Sequence, residues 1–213
     1  MSSNKKQSAM VAGVASIFRA IKWRDPAWVF LGIVLLVGIA VINQMLPPGF
    51  LSSSGKLMHV TIEHQKRDIS HIDQQRDTFA TDEFYIDTID FPAGNSLRHE
   101  KLGNYDFSKN FFTRIEGTME VETPGEYRMI VASDDGFRLE IDGRMISQHT
   151  NDRPMSETSA GIRLEKGRYP FVLTWFQGFG QLGLRAWYEG ACGRKLFGES
   201  TSCIRFLTSG KKG

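Results

Sequence analysis

The 213-residue sequence lacks several features that would assign it to a familiar class of protein. It has two cysteines, too few for a cysteine-rich zinc module or a dense disulfide scaffold. Its formal net charge is only +2, so it lacks the concentrated positive surface with which nucleic-acid-binding proteins contact phosphates. It carries no serine, cysteine or zinc hydrolase motif and no phosphate-binding loop, and we therefore expect no enzymatic activity. With 41% hydrophobic and 11% aromatic residues, the chain is nevertheless expected to fold.

Residues 27–46 form an uncharged run of twenty residues, twelve of which are leucine, isoleucine, valine or phenylalanine. As a helix this run would span about 30 Å, the thickness of the hydrocarbon core of a bilayer. A buried core helix would usually be shorter and amphipathic, so the run predicts a transmembrane helix. Pro47 and Pro48 cannot continue a helix, and we expect it to end there.

Flanking charge predicts how this helix is oriented. Five basic residues and one acidic residue precede the run, and the remainder of the chain carries a net charge of about −2. Because positive charge stays on the cytoplasmic side, residues 1–26 would form a cytoplasmic tail, either disordered or partly an amphipathic helix. The rest would be periplasmic or extracellular, at a plasma or inner membrane. A cleaved signal peptide would have a shorter apolar core and a small-residue cleavage site, so we expect an uncleaved signal anchor.

The chain after the anchor has the pattern of a β-sheet protein. Residues 47–56 predict a short linker, and residues 57–190 predict an outer domain without long helical periodicity. Alternating hydrophobic residues at 137, 139 and 141 lead into Asp142 and Gly143, the two-residue turn of a β-hairpin. Other strand patterns and turns follow at regular spacing. This organisation predicts an all-β domain, an antiparallel sandwich or barrel.

Five short motifs in this domain resemble, in order and spacing, those of the PA14 domain family. They occupy residues 110–118, 124–127, 133–143, 164–169 and 175–184. The family is a β-sandwich/barrel module found in bacterial toxins, glycosidases and yeast adhesins. The resemblance therefore implies a PA14-like antiparallel β-sandwich/barrel. It further implies either carbohydrate binding, which is common in the family, or a structural and assembly role.

The adjacent carboxylates Asp134 and Asp135 are the most chemically suggestive feature of the sequence. In an ordinary strand they would point to opposite faces, whereas a cis peptide would direct both to one side. In the carbohydrate-binding branch of the family such a pair holds Ca²⁺, and sugar hydroxyls complete its coordination. The resemblance places a further ligand in the loop at residues 177–183, where Gln177 stands instead of the asparagine of the adhesin-like branch. The alternative is a tight turn in which the carboxylates bond local amides.

A polar segment at residues 147–158 lacks a strand pattern and predicts a loop. The resemblance places it near the ligand loops, where His149, Asn151, Asp152 and Arg153 would contact sugar hydroxyls. The alternative interpretation is an ordinary solvated loop.

Two other groups of residues also admit alternative interpretations. Trp175 and Trp187 could stack on a sugar, but their apolar neighbours favour packing in the core. His59, His64 and His71 could belong to a metal site, but their spacing fits no ligand motif, which favours solvated residues.

Cys192 and Cys203 both follow the predicted domain, in an expected C-terminal tail of residues 191–213. In an oxidising compartment a disulfide between them would close a loop of about twelve residues, and free thiols are the disfavoured alternative.

Together the features predict a non-enzymatic, membrane-anchored module outside the cytoplasm that binds a glycan, with Ca²⁺ as its candidate cofactor. The alternative is a structural or assembly subunit of a cell-envelope membrane complex, or a homo-oligomer, in which the β domain contacts protein. No nucleic-acid partner is expected.

Overall fold

The structure is a computed structural model that describes residues 57–100, 103–105 and 107–208. The described residues form fourteen β-strands and no α-helix, as the sequence pattern predicted for this part of the chain. The strands are β1 (Met58–Gln65), β2 (Thr78–Ile86), β3 (Asp90–Gly94), β4 (Leu97–His99), β5 (Gly103–Tyr105), β6 (Phe111–Val121), β7 (Gly125–Asp134), β8 (Phe137–Ile141), β9 (Arg144–His149), β10 (Ser156–Leu164), β11 (Gly167–Gln177), β12 (Leu182–Gly190), β13 (Gly193–Leu196) and β14 (Ile204–Leu207).

Two antiparallel sheets contain most of these strands. The seven-stranded sheet has the order β2-β1-β6-β11-β8-β9, with β14 also paired to β6. The five-stranded sheet has the order β10-β7-β12-β13, with β3 also paired to β12. Strands β4 and β5 form a separate two-stranded sheet. Strands β11 and β7 therefore lie inside their respective sheets, where neighbours on both sides fix their ends.

The β8–β9 hairpin forms as its sequence predicts. Phe137, Leu139 and Ile141 are fully buried, whereas the intervening side chains are half-buried. Asp142 and Gly143 have φ angles of 52° and 69°, the left-handed conformation that a two-residue hairpin turn requires. Local periodicity and turn chemistry thus agree with the observed pairing.

One hydrophobic core includes side chains from both sheets. Trp175 of β11 lies at its centre, with its ring centroid 5.3 Å from that of Phe111 and 6.2 Å from that of Phe91 on the opposite sheet. All three side chains are fully buried, and such aromatic contacts add to the stabilisation from removing their surface from water. The sheets therefore pack as a sandwich, and the ends of their central strands meet at one edge of this core.

The predicted transmembrane helix, cytoplasmic tail and linker lie outside the described residues. Among residues 57–100, 103–105 and 107–208, no helix is long and apolar enough to cross a membrane. Membrane anchoring and orientation therefore stay predictions.

Two segments differ from the sequence-based expectation. The expected loop at residues 147–158 is shorter, because its first residues complete β9 and its last residues begin β10. Ser147 is buried, and the other residues of this segment are exposed or partly buried without a hydrophobic stripe, so pairing with neighbouring strands determines the conformation of those that join β9 and β10. Beyond residue 190, β13 pairs with β12 and β14 pairs with β6, so the described part of the expected tail belongs to the sheets.

The predicted disulfide between Cys192 and Cys203 is present, with the two Cα atoms 6.1 Å apart. Cys192 immediately precedes β13, and Cys203 immediately precedes β14. Ile204 and Phe206 of β14 contribute buried side chains to the core. The disulfide therefore restrains a segment that is part of the fold.

Candidate functional site

The two adjacent aspartates lie at the end of β7, a central strand of the five-stranded sheet. β7 ends at Asp134, and β8 begins after Asp135 and Gly136. Strand pairing places Asp134 opposite Gly183 of β12, next to the loop that connects β11 to β12. Asp134 is only 8% exposed and Asp135 only 4%, and the peptide bond between them is cis. Two ionisable side chains thus occupy a nearly buried position at the junction of the sheets.

Main-chain groups from two loops hold the carboxylate of Asp135. The N–H of Gly178 donates to Oδ2 at 2.8 Å, and the N–H of Arg153 donates to Oδ1 at 3.3 Å. The hydroxyl of Ser133 donates to the main-chain oxygen of Asp135 at 2.6 Å. Asp135 therefore links the loop before β12 to the loop before β10, and both loops meet at the pair.

Asp134 is held by different contacts and has a strongly perturbed pKa. The indole of Trp175 donates to its main-chain oxygen at 3.0 Å, and the main-chain N–H of Met155 donates to its side chain. Burial, followed by the charge of Asp135, raises the pKa of Asp134 to about 6. Burial also raises the pKa of Asp135, against the opposing effect of its two main-chain donors. The site thus disfavours two negative charges.

Arg153 is the nearest compensating cation, but it does not bond the carboxylates through its guanidinium. Its two terminal nitrogens donate to Ser133 Oγ and Thr158 Oγ1, each at 2.8 Å. Its Nε has no partner among the described residues, and the guanidinium lies 5.3 Å from the centroid of the Phe137 ring. Burial lowers the pKa of Arg153, and the charge of Asp134 raises it. Arg153 therefore offsets the negative charge only from a distance.

Gln177 contributes an oxygen atom without a hydrogen-bond partner. The side chain is fully buried, and its Nε2 donates to the main-chain oxygen of Gln181 at 3.0 Å. Its Oε1 has no partner among the described residues. Gln177 lies two residues after Trp175 on β11, so both side chains leave the same face of the strand, and the indole of Trp175 bonds Asp134. A buried acceptor without a partner requires a donor or a cation.

These residues fit a calcium ion better than a transition metal. Two carboxylates and an amide oxygen are the hard oxygen ligands that Ca²⁺ prefers. Within the part of the chain that the structure describes, no three histidine, cysteine, aspartate or glutamate side chains group together, which disfavours a transition-metal site built from such ligands. The candidate cation ligands that the sequence indicated are Asp134, Asp135 and Gln177, and a bound cation would need additional oxygens from a ligand or water.

Two glycines allow the loops around the pair to approach closely. A Cβ atom on Gly136 would lie 2.6 Å from the main-chain oxygen of His149 and 2.5 Å from the ring of Phe176. A Cβ atom on Gly178 would lie 2.4 Å from the main-chain oxygen of Ile69. Larger residues at either position would therefore separate the loops that surround the carboxylates.

The four residues expected to contact sugar occupy different environments. Arg153 is joined to Asp135 through its main chain, as described above. Asn151 and Asp152 are exposed in the same loop, and the charge of Asp152 contributes to the raised pKa of Asp135. His149 is half-buried at the end of β9, and its Nε2 lacks a partner among the described residues. The structure gathers these residues around the pair, and their contacts with sugar stay a prediction.

Sequence analysis missed Ser133 and Thr158, the two hydroxyls that position Arg153. Ser133 immediately precedes the aspartates, but its partner lies 20 residues away and no local pattern connects them. Thr158 falls in the segment expected to be a loop, where it instead belongs to β10.

The two tryptophans differ in their environments. Trp175 is fully buried and packs in the core, as the sequence predicted. Trp187 is only half-buried, and the guanidinium of Arg194 lies 4.4 Å from its ring centroid. The expectation of core packing was therefore wrong for Trp187, because it leaves the face of β12 opposite to the buried Ala186 and Tyr188.

The histidines expected to be solvated also differ among themselves. His64 is buried and bonds Asp82, with 2.8 Å between His64 Nε2 and Asp82 Oδ2. His71 is half-buried and pairs through its backbone with Asn151. The solvated interpretation was therefore wrong for His64, which the pattern of a charged segment did not distinguish.

Comparison with known proteins supports the resemblance noted in the sequence. The family model described as PA14 domain matches residues 65–184 of this chain. No curated protein sequence matches the chain.

Several solved structures share the fold. A PA14 sugar-binding domain from an RTX adhesin has a TM-score of 0.53 and 14% identity, over 67% of this chain and 94% of that domain. The epithelial adhesin 9 A domain from Candida glabrata, solved with Galβ1-3GlcNAc, has a TM-score of 0.51 and 10% identity, over 75% and 92%. An anti-sigma factor domain-containing protein from Clostridium clariflavum has a TM-score of 0.51 and 20% identity, over 75% and 52%. At these identities the likeness concerns the fold alone.

Proposed function

The chain belongs to the PA14 domain family, and from this membership we propose that it is a non-enzymatic, membrane-anchored module that binds carbohydrate outside the cytoplasm. The observation that carries the proposal is the buried pair Asp134 and Asp135, whose carboxylates bond no cationic side chain among the described residues. Asp135 bonds Gly178, which follows Gln177 and its unpartnered amide oxygen at the end of β11. A sugar-binding PA14 domain and a fungal adhesin solved with a disaccharide are among the proteins that share the fold. This supports carbohydrate as the ligand class.

Calcium is the cofactor that this arrangement would hold. Asp134 and Asp135 would supply carboxylate oxygens and Gln177 its free amide oxygen. When bound, Ca²⁺ would neutralise the pair and coordinate sugar hydroxyls. The residues of this chain fix the two side chains by themselves, because the main-chain N–H groups of Gly178, Met155 and Arg153 donate to them.

The location outside the cytoplasm rests on separate observations. The apolar run at residues 27–46 and the basic residues before it favour a signal anchor with the β domain on the outer side. The disulfide between Cys192 and Cys203 supports an oxidising compartment. Protease added to sealed right-side-out spheroplasts should digest the β domain. Protection of this domain, while an exposed control protein is digested, would reject the orientation.

A binding experiment with the full-length chain tests the proposed site. The protein is purified in a detergent without a sugar headgroup and applied to a glycan array in Ca²⁺ and, separately, in EDTA. We expect binding in Ca²⁺ that EDTA abolishes, and heat release when Ca²⁺ is titrated in a calorimeter. The double substitution Asp134→Asn and Asp135→Asn should abolish both signals. Asp142→Asn, which removes an exposed carboxylate in a hairpin turn, is the matched control.

The opposite results would favour the assembly role. Absence of glycan binding in either condition, together with absence of calcium binding, would reject the carbohydrate proposal. Co-purification of the full-length chain with a fixed protein partner after mild extraction would then identify it as a subunit of a complex.

A further inference from the structure

Residues 66–77, which we call the crossing segment, connect β1 to β2 and cross one face of the seven-stranded sheet. The main-chain N–H of Lys66 donates to the main-chain oxygen of Asp77 at 3.0 Å, so the two ends of the segment are held together. The side chain of Gln74 donates to the main-chain oxygen of Asp68 at 2.6 Å and fixes its middle. These bonds give the segment a defined conformation of its own.

The crossing segment is docked through a small hydrophobic cluster that is separate from the main core. Ile69 and Ile72 pack with Phe112 of β6 and Phe176 of β11, and none of the four side chains is more than 4% exposed. The two rings leave the sheet face opposite to the main core, because their preceding neighbours along each strand face that core. Without the crossing segment, this aromatic patch would face water.

The crossing segment also bonds the loop that precedes β10. The main-chain N–H of Ile72 donates to the main-chain oxygen of Thr150 at 2.9 Å. His71 pairs with Asn151 as an isolated antiparallel bridge. Two residues further along, the same loop supplies one of the two main-chain donors to the carboxylate of Asp135. The position of this donor therefore depends on a loop that the crossing segment holds.

The loop that precedes β12 is held from the other side of the crossing segment. The main-chain oxygen of Ile69 lies so close to Gly178 that a Cβ atom there would be 2.4 Å away. Asn110 joins the same two parts, because its Nδ2 donates to Asp68 at 2.9 Å and its main-chain N–H donates to Gly178 at 3.1 Å. The N–H of Gly178 is the second main-chain donor to Asp135. Both donors thus belong to loops that contact one segment.

Phe176 connects the small cluster to the aspartate pair itself. Its main-chain N–H donates to the main-chain oxygen of Gly136 at 3.0 Å, and Gly136 follows the pair. Its ring would lie 2.5 Å from a Cβ atom on Gly136, so ring and turn are in close contact. Gln177, the candidate amide ligand, is the next residue of β11. The cluster therefore supports the site from the outer face of the sheet.

Burial, more than charge, holds the crossing segment in place. Asp73 accepts from Arg138 through both carboxylate oxygens, at 2.8 and 3.0 Å, but the aspartate is half exposed. Exposed ion pairs contribute little, whereas a buried isoleucine contributes through the whole of its apolar surface. Ile72 combines nearly complete burial with the bond to Thr150, so it is the residue on which docking depends most.

We propose that the crossing segment positions the two loops that hold Asp135, with Ile72 as its anchor. Ile72 acts through Thr150 and Phe176 and is therefore a positioning residue. The consequence for cation binding rests on the calcium site proposed above: loops that are ordered in advance lose less conformational freedom when Ca²⁺ binds, so docking of the segment raises the affinity.

Hydrogen exchange and calorimetry with the full-length chain test the proposal, at a temperature at which every variant is folded. In EDTA, Ile72→Ala should accelerate amide exchange in residues 149–153 and 177–181 by about tenfold, because both loops lose their support. When Ca²⁺ alone is titrated, the same variant should bind about tenfold more weakly than wild type. Ile72→Val keeps most of the buried surface and should restore both values to near those of wild type.

Ile204→Ala is the matched control, because it truncates another buried isoleucine. Ile204 pairs with Val121, at the opposite end of β6 from Phe112. This variant should lower the melting temperature comparably, yet leave exchange in the two loops and the affinity for Ca²⁺ unchanged.

Three results would overturn the positioning role. They are equal effects of Ile72→Ala and Ile204→Ala on the two loops, unchanged exchange there in Ile72→Ala, and faster exchange with an unchanged affinity for Ca²⁺. Failure of the wild type to bind Ca²⁺ would instead reject the calcium site, and exchange in the two loops would then decide the positioning role by itself.

Discussion

Replacing Asp134 with asparagine should stabilise the cation-free protein at neutral pH, although it removes a carboxylate that we propose binds Ca²⁺. The wild-type carboxylate is nearly buried and close to the charge of Asp135, which together raise its pKa from 3.8 to about 6. Asparagine is uncharged and nearly the same shape, and its oxygen can still accept from the main-chain N–H of Met155. The substitution therefore removes an unfavourable charge without creating a cavity.

The size of the effect follows from the pKa shift. Each unit corresponds to about 1.4 kcal/mol, so a shift of roughly two units sets an upper limit of about 3 kcal/mol. Relaxation of the site and entry of water reduce this, and we expect about 1–3 kcal/mol at pH 7.5. For a domain of this size the melting temperature should rise by about 3–10 °C.

The sign of the pH dependence is opposite to that of a salt-bridged aspartate. A group whose pKa is raised on folding binds protons more tightly in the native state, so its stabilisation is complete below about pH 4. This stabilisation is lost as the pH rises through about 6. Wild type and Asp134→Asn should therefore be similarly stable at pH 4, and the variant should be the more stable at pH 7.5.

Urea unfolding of the full-length chain in EDTA, followed by tryptophan fluorescence, measures this difference at both pH values. Asp142→Asn serves again as the control for loss of an exposed carboxylate. Adding 1 mM Ca²⁺ should stabilise the wild type and leave Asp134→Asn unchanged, because binding to the native state shifts unfolding. If Asp134→Asn is no more stable than wild type at pH 7.5 in EDTA, burial and the charge of Asp135 do not destabilise the ionised carboxylate of Asp134, and the reasoning is refuted.

Three other variants test the contacts around the site and the disulfide. Gly136→Ala should lower the free energy of unfolding by about 1–3 kcal/mol and weaken Ca²⁺ binding in calorimetry, because its Cβ would clash with the main-chain oxygen of His149 and the ring of Phe176. Unchanged stability and Ca²⁺ affinity would contradict the close approach of these loops at Gly136. Trp175→Phe should cost about 1–3 kcal/mol, since the main-chain oxygen of Asp134 loses its buried donor, and urea unfolding followed by circular dichroism measures this. The paired change of Cys192 and Cys203 to serine should lower stability by about 2–4 kcal/mol in the same assay, and reducing agent should affect wild type only.

The sequence was most informative where structure depends on neighbouring residues. The alternation through Phe137 and Leu139 and the turn at Asp142 and Gly143 predicted the β8–β9 hairpin, because strand periodicity and left-handed turn residues are local properties of the backbone. The ordered motifs identified the PA14 family, whose model matches the same region. Where hydrophobic periodicity was absent, as in the segment that begins β10, sequence analysis predicted a loop and strand pairing decided otherwise.

The candidate site was only partly predictable. The adjacency of Asp134 and Asp135 and the choice of Gln177 came from the sequence and the resemblance. Their burial did not, because each is surrounded by residues from distant parts of the chain. Arg153 was expected to contact sugar hydroxyls, which stays a prediction, but no sequence pattern indicated that its guanidinium bonds two side-chain hydroxyls, one of them on Ser133. Such bonds depend on which strands become neighbours, and no local pattern reports that.

By itself, the sequence determined the β architecture, the family, the cysteine pair and the two adjacent carboxylates. Only the tertiary structure decided the electrostatics of the site. Asp135 meets Gly178 across 43 residues, and Asn110 meets Asp68 across 42. Long-range contacts of this kind form when two sheets close on a common core. Burial then raises the pKa of a group such as the Asp134 carboxyl, which is an ordinary ionised side chain in the unfolded chain.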